Sequence, residues 1–399
     1  MKDNKFWTLR YTLINITYFA VFCTIHAYAA VFLLDKGLTN TMVGLSLALA
    51  NLLSAFAQPI VAGFVDKPNK ITNRRVMMAS AFLMEIGSVI LLTIRTNIII
   101  ICITFVLIYM IQFMYQPMMI AMNFEYQQAS CKINFGLSRG LGSAGFAVTA
   151  ALIGPMVSQN GTDMLLYITL IMLAIHIILI YFFKLPKDYI SPVTDSQSDN
   201  KRSNSLLDFA KNYPIFILFL VGTVFCFIGH NAINDFLISI IRNLGGNEAH
   251  LGYANFLAAI LELPVMALMG LILKKISARK ALIFSGISFC IKIAIMMLAT
   301  SLMGMFISQS FQAFAYAVFI PASAIFADNL MHDNDKAKGQ AYINSAITIG
   351  GVFSSLISGK ILDLYGVFAM LLLGLLISIV GAIIITVSSC LIVKKPTHS

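Results

Sequence analysis

The sequence predicts an all-α, polytopic membrane protein: twelve transmembrane helices in two pseudo-symmetric six-helix bundles. Three observations carry that expectation. First, 59% of the 399 residues are hydrophobic and only 11% are charged, whereas a soluble protein carries about a quarter charged residues. Second, twelve apolar stretches each reach the length of about twenty residues that crosses a bilayer. Third, one long polar stretch lies in the middle, with six apolar stretches on either side.

In chain order the first six spans are expected at about 11–34, 42–65, 75–94, 97–124, 136–158 and 162–183. Lys2, Lys5 and Arg10 ahead of the first, with Ala27-Tyr28-Ala29 inside it, imitate a secretory signal and its cleavage site. The apolar run continues through Val31 to Leu34, past the supposed cut, so it reads as a span. Residues 185–211, LPKDYISPVTDSQSDNKRSNSLLDFAK, are rich in Ser, Asp and Asn and read as a flexible cytoplasmic linker. They separate an N-terminal bundle, 1–184, from a C-terminal bundle, 212–399. The second six spans are expected at about 213–241, 250–273, 280–300, 302–329, 339–362 and 367–393. The six cysteines are scattered, without metal-ligand or redox spacing, and read as packing residues.

Orientation follows from lysine and arginine. With both termini in the cytoplasm, nearly all loop cations fall inside, and only Lys36, Arg95, Arg242 and Lys360 fall outside. This satisfies the positive-inside rule for a multi-pass protein of the cytoplasmic membrane. The formal net charge of +10 is then topology and attraction to anionic headgroups, and it gives no support to a nucleic-acid partner. Arg139 and Lys292 are left over, both within spans.

Several spans carry polar residues on one helical face. Asn51, Ser54 and Gln58 share a face of the second; Tyr109, Gln112, Gln116 and Asn123 of the fourth; Gln309, Gln312 and Tyr316 of the tenth; Asn344, Thr348, Ser355 and Ser358 of the eleventh. Several helices with one wet stripe imply a shared polar centre, because long amide side chains are costly against lipid. The alternative is hydrogen bonding between helices, which contributes about 0.6–2 kcal/mol per contact and accounts for many of the serines.

The segment GFVDKPNKITNRR, 63–75, resembles the loop between the second and third spans of the major facilitator superfamily, G-x-x-x-D-R/K-x-G-x-R-R/K, with an echo in GLILKKISARK, 270–280. Gly63 sits one residue too close to Asp66, and Asn69 replaces the second glycine. NFGLSRGLGSAGF, from Asn134, is similar to the fifth span of the lactose permease-like sugar/proton symporters and the related phenylpropionate permease branch. The resemblance implies two six-helix bundles around a central cavity that opens alternately to each side. It also implies conformational gating by Gly63, Asp66, Lys67, Arg74 and Arg75.

An arginine near a helix centre costs about 2.5–3.5 kcal/mol even on the lenient insertion scale, so Arg139 must face protein or water. Ser143 and Phe146 lie at i+4 and i+7 on the same face, giving a cation, a hydroxyl and an aromatic plate suited to a polar ring-shaped ligand. The resemblance implies an arginine that binds sugar hydroxyls beside an aromatic platform, here Phe146. The competing reading has Arg139 snorkelling to the cytoplasmic surface. Substrate contacts are further expected from Asn123, Gln112, Gln116, Gln309, Gln312 and Asn231.

Glu262 lies mid-span in the eighth helix, seven residues beyond Asn255. A carboxylate withdrawn from water favours its protonated form, as proton coupling requires. Lys292 matches the family's ninth-span arginine and is expected to pair with Glu262 or with Asp235, which belongs to a seventh-span cluster with His230, Asn231 and Asn234. Permanent ion pairing within the C-terminal bundle is the alternative. The tenth span departs from the family pattern: Gln309, Gln312 and Ala315 stand where the sugar symporters carry Lys, His and Glu.

No HExxH, no GxSxG and no cluster of His or Cys ligands supports an enzyme, and no cofactor is called for. The expected function is a secondary active transporter importing a small polar solute, a sugar or oligosaccharide, by proton symport. The expected partners are that solute, protons and membrane lipid, with the chain acting as a monomer. Drug export by proton antiport, or import of aromatic acids or nucleosides, are the alternatives on the same fold.

Overall fold

The computed structural model describes residues 6–65, 72–185, 206–332 and 335–391. Every regular element among them is helical. The first span starts as Trp7–Phe22, passes through a π-helical turn at Cys23–Ala27, and resumes as Ala29–Asp35. The second to sixth are Asn40–Val65, Asn73–Thr93, Ile98–Gln128, Phe135–Asn160 and Asp163–Phe182. After a short helix, Leu206–Asn212, the seventh runs Pro214–Asp235 and, beyond a break at Phe236, Leu237–Asn243. The eighth and ninth are Glu248–Lys275 and Ala278–Leu298; the tenth is Leu302–Ser310 followed by Gln312–Leu330.

The last helical stretch, Lys336–Cys390, contains the eleventh and twelfth spans, divided at Gly366 with φ 79° and ψ −176°. That conformation is open to glycine and closed to residues with a Cβ, so one residue makes the turn. Twelve spans are therefore present among the described residues, close to the expected positions. Helix starts are set by side-chain caps that satisfy otherwise orphaned N–H groups: Thr72, Asn97, Asn134, Ser277 and Ser301 each accept from a backbone N–H three residues on.

The chain forms two compact units, Met1–Gln197 with Ile241–Ala259, and Ser198–Ile240 with Ile260–Ser399. In both, large apolar side chains such as Phe56, Ile99, Phe182 and Leu298 are exposed, as they are in a protein whose solvent is hydrocarbon.

The first unit is tied through its buried polar groups. Thr12 and Ser138 join the first and fifth spans hydroxyl to hydroxyl at 2.9 Å. His176 of the sixth meets Thr17 Oγ1 at 2.7 Å and the Tyr115 hydroxyl at 2.5 Å. Gly142 lets the first span approach: a Cβ there would lie 2.7 Å from the Phe19 ring. At one end Lys36 and Arg95 both reach Asp163, at 2.8 and 3.3 Å.

The second unit has an aromatic core. Phe227 packs on Phe289 and Phe319 with ring centroids 5.5 and 5.2 Å apart, and Phe219 on Phe326 at 4.9 Å. The seventh and twelfth spans meet through small residues: a Cβ on Gly381 would lie 2.6 Å from the Cys226 nitrogen and 2.8 Å from the Gly222 oxygen. Close backbone approach is how helices gain dispersion contact where lipid removes the hydrophobic drive.

Candidate functional site

In the first unit the guanidinium of Arg139 donates to Ser143 Oγ at 2.6 Å, one helical turn away as the spacing predicts. Its carbon stands 4.2 Å from the centre of the Phe19 ring. The first span thus lays an aromatic plate beside the cation. Phe146, on the arginine's own helix, packs toward Phe22, with centroids 6.2 Å apart. Arg139 is half-buried and close enough to Tyr11 and Tyr18 to influence both electrostatically.

More rings continue this wall. His26, in the π-helical turn, lies 4.5 Å from Phe22, 5.1 Å from Tyr109 and 5.2 Å from Phe113 by ring centroids. A π-turn shifts the register of a helix and recurs at functional sites. Phe19, Phe22 and His26 are spaced by three and four residues, so the stripe on the first span was readable from periodicity. What hid it was the apolar character of the rings.

The fourth-span residues are placed unequally. Gln112 and Asn123 are fully buried, and no side-chain nitrogen or oxygen of either has a hydrogen-bond partner among the described residues. Each orphaned buried group costs about 1–3 kcal/mol. Gln116 is half-buried. Glu125 accepts from Asn73 Nδ2 at 3.1 Å.

The second unit holds a separate polar centre. Lys292 is completely buried and donates from Nζ to Gln312 Oε1 at 2.6 Å. Glu262, half-buried, acts on it electrostatically. Ser308 bonds the Lys292 carbonyl at 2.7 Å and Ser285 the Ala315 carbonyl at 2.7 Å, so the ninth and tenth spans are joined on both sides of the helix break at Phe311. Gln309 is buried, and its Nε2 has no hydrogen-bond partner among the described residues. His230 stacks on Tyr316 at 5.7 Å and 12° and meets Asn234 at 2.9 Å. Asp235 accepts from Ser355 Oγ at 2.6 Å, and Asn231 is half-buried. The tenth span thus brings an amide, Gln312, to the lysine, beside the carboxylate of Glu262 that acts on it electrostatically.

The expected gating residues divide as follows. Arg74 Nη1 donates to the carbonyls of Ile180 and Tyr181, at 3.4 and 3.2 Å, capping the end of the sixth span. The Arg75 backbone N–H is held by Thr72. Gly63 is helical, within the second span, while Asp66 and Lys67 lie outside the described residues.

Buried polar centres inside an apolar helical shell of twelve spans define a multi-pass membrane transporter. The chain belongs to the MFS_1 like family of the major facilitator superfamily, whose profile matches residues 7–373. Among curated proteins none matches the sequence significantly. Similar solved structures include the nucleoside transporter NupG. A mutant of it has a TM-score of 0.81 at 14% identity, covering 96% of this chain and 99% of that one; a second NupG structure gives 0.75 at 14%, covering 96% and 98%. A bacterial homologue of the human lysosomal transporter Spinster, inward-facing and unoccupied, gives 0.69 at 13%, covering 98% of each chain. At such identities the likeness is one of fold.

Proposed function

We propose that this transporter is a proton symporter for a small hydroxylated ring compound, a sugar or oligosaccharide, acting as a monomer in the cytoplasmic membrane by alternating access. The observation that carries the reading is Arg139, held by Ser143 over the Phe19 ring. Fixed this way the guanidinium donates to solute hydroxyl oxygens, and neighbouring rings cover the apolar face of a sugar. Gln112 and Asn123 supply further donors and acceptors. In the other unit Glu262 carries the coupling proton, with Lys292 and Asp235 as the charged groups that respond to it.

A second reading, nucleoside import, draws on a different observation. Phe22, His26 and Phe113 line up aromatic surface that stacks on a planar base, and NupG, similar in fold, is a nucleoside transporter. Uptake by proteoliposomes under an imposed pH gradient tests both. Accumulation of a sugar, driven by an inward proton gradient and abolished by a protonophore, is the expected result. Accumulation of a nucleoside alone transfers the site to the second reading. Accumulation of aromatic acids alone, or of none of these, overturns both.

A further inference from the structure

Outside the polar centres, the second unit carries a basic cluster beside an apolar groove. The eighth span ends in Lys274-Lys275 and the ninth begins with Arg279-Lys280, the two joined at Ser277. Lys274, Lys275 and Lys280 are exposed and Arg279 is half-buried. No acidic residue occurs in the sequence between Glu262 and Asp328, so neither span brings a carboxylate to this cluster.

A groove of about 340 Å³ lies between the ninth and twelfth spans, lined by Ile287, Ile291, Ile379, Ile383 and Val387, with Cys290 and Ala382 among its deeper residues. The two helices come near each other at Gly286 and Ala382, where an added Cβ would find ordinary van der Waals contact at 3.5 Å, and the larger isoleucine and valine side chains line the groove. Lys280, Phe284, Ile287 and Ile291 are spaced by four, three and four residues and form one stripe, all of them exposed. That stripe runs from the basic cluster straight along the groove. The eleven steps from Lys280 to Ile291 rise about 16 Å, close to half of the roughly 30 Å hydrocarbon core, which is the depth of one leaflet.

From this continuity we infer that the ninth and twelfth spans form a binding site for a single anionic phospholipid. Its headgroup phosphate sits among Lys274, Lys275, Arg279 and Lys280, and one acyl chain lies in the groove. Charge selects the headgroup, and the groove holds the tail that any membrane lipid could supply. A zwitterionic lipid leaves the cations uncompensated and is displaced.

The chain has a single tryptophan, Trp7, which makes the test direct. Trp7→Phe with Ile383→Trp places one fluorophore on the groove, and brominated phosphatidylglycerol or phosphatidylcholine in reconstituted vesicles quenches it in proportion to occupancy. The expected result is a preference for brominated phosphatidylglycerol of about tenfold, or about 1.4 kcal/mol. Trp7→Phe with Leu152→Trp, on an exposed position of the fifth span, should show no such preference. Equal quenching by both lipids at position 383 overturns the site. So does a preference that survives Lys274→Gln, Lys275→Gln, Arg279→Gln and Lys280→Gln together, or one of equal size at position 152. Loss of the preference in the neutralised protein, with quenching by phosphatidylcholine retained, supports the site and shows that the variant still folds.

Discussion

Lys292 and Gln312 are joined by a 2.6 Å hydrogen bond between side chains that water hardly reaches. The amide oxygen is the acceptor that makes a buried lysine tolerable, and a buried donor deprived of its acceptor costs about 1–3 kcal/mol. Gln312→Leu should therefore lower the thermal stability of the detergent-solubilised protein by that amount. Lys292→Met with Gln312→Leu should recover part of it, since donor and acceptor of the bond are removed together while Glu262 loses the lysine's charge. A double-mutant cycle reads the coupling; additive losses would show that the bond contributes nothing.

Arg139 gives the second prediction. Arg139→Lys keeps the charge and loses both the planar fork and its stacking on Phe19, two properties an ammonium does not reproduce. Solute affinity should fall at least about tenfold, since hydrogen bonds to a charged group contribute about 1.5–3 kcal/mol, with expression and melting unchanged. Phe19→Leu should weaken binding less. Equal affinity in the lysine variant would assign Arg139 to the membrane surface.

How much of this was legible in the sequence depends on the kind of signal. The twelve spans rest on length and apolarity, which a bilayer imposes directly, and the eleventh–twelfth turn at Gly366 falls within the short gap between the expected spans. The Arg139–Ser143 pair lies on one helix, so periodicity reached it. The Phe19 platform did not follow, because it depends on which face of the first span meets the fifth, and Gly142 decides that only in three dimensions. The same holds for Lys292: sequence logic reached a carboxylate, Glu262, which acts on it electrostatically, and missed Gln312, which packing of the ninth against the tenth span adds. The π-turn at Cys23–Ala27 left no compositional trace, containing neither proline nor glycine.

Gly154 and Gly252 provide a third prediction. A Cβ on Gly154 would lie 2.7 Å from the Glu248 oxygen and 3.0 Å from the Gly252 Cα, so the fifth span and the first turns of the eighth touch through backbone, beneath the Tyr28 hydroxyl that bonds the Ala150 carbonyl. Gly154→Leu should push residues 241–259 away. Hydrogen–deuterium exchange should rise across that segment, whereas Gly270→Leu, where an added Cβ meets nothing within 4 Å, should leave it unchanged. Unaltered exchange in Gly154→Leu would mean that the contact relaxes without consequence.

Arg74 caps the sixth span through two carbonyls, and charge at a helix C-terminus contributes about 0.3–1 kcal/mol. Arg74→Gln should slow solute exchange while leaving equilibrium binding intact, because the side chain bonds the carbonyls that end the sixth span and not the Arg139–Ser143 pair. Calorimetric affinity alongside exchange rate checks this; a matching loss of both would make Arg74 a determinant of the binding site.

The proposed coupling role of Glu262 is tested by separating proton movement from solute movement. Glu262 acts electrostatically on Lys292, whose hydrogen bond goes to Gln312. Protonation of the carboxylate would remove that influence and leave the lysine held by the amide alone, so the charge state of one group is reported to the ninth–tenth helix contact. Glu262→Gln fixes the uncharged state. It should abolish uphill accumulation under a proton gradient while preserving solute exchange, which needs no net proton transfer. Lys292→Gln should lose accumulation as well, and Gln312→Asn, which shortens the acceptor arm by one methylene, should retain part of it. Undiminished uphill uptake by Glu262→Gln would move the coupling role to Asp235, held by Ser355. Loss of exchange together with uptake would instead place Glu262 in the solute site or in the packing of the unit.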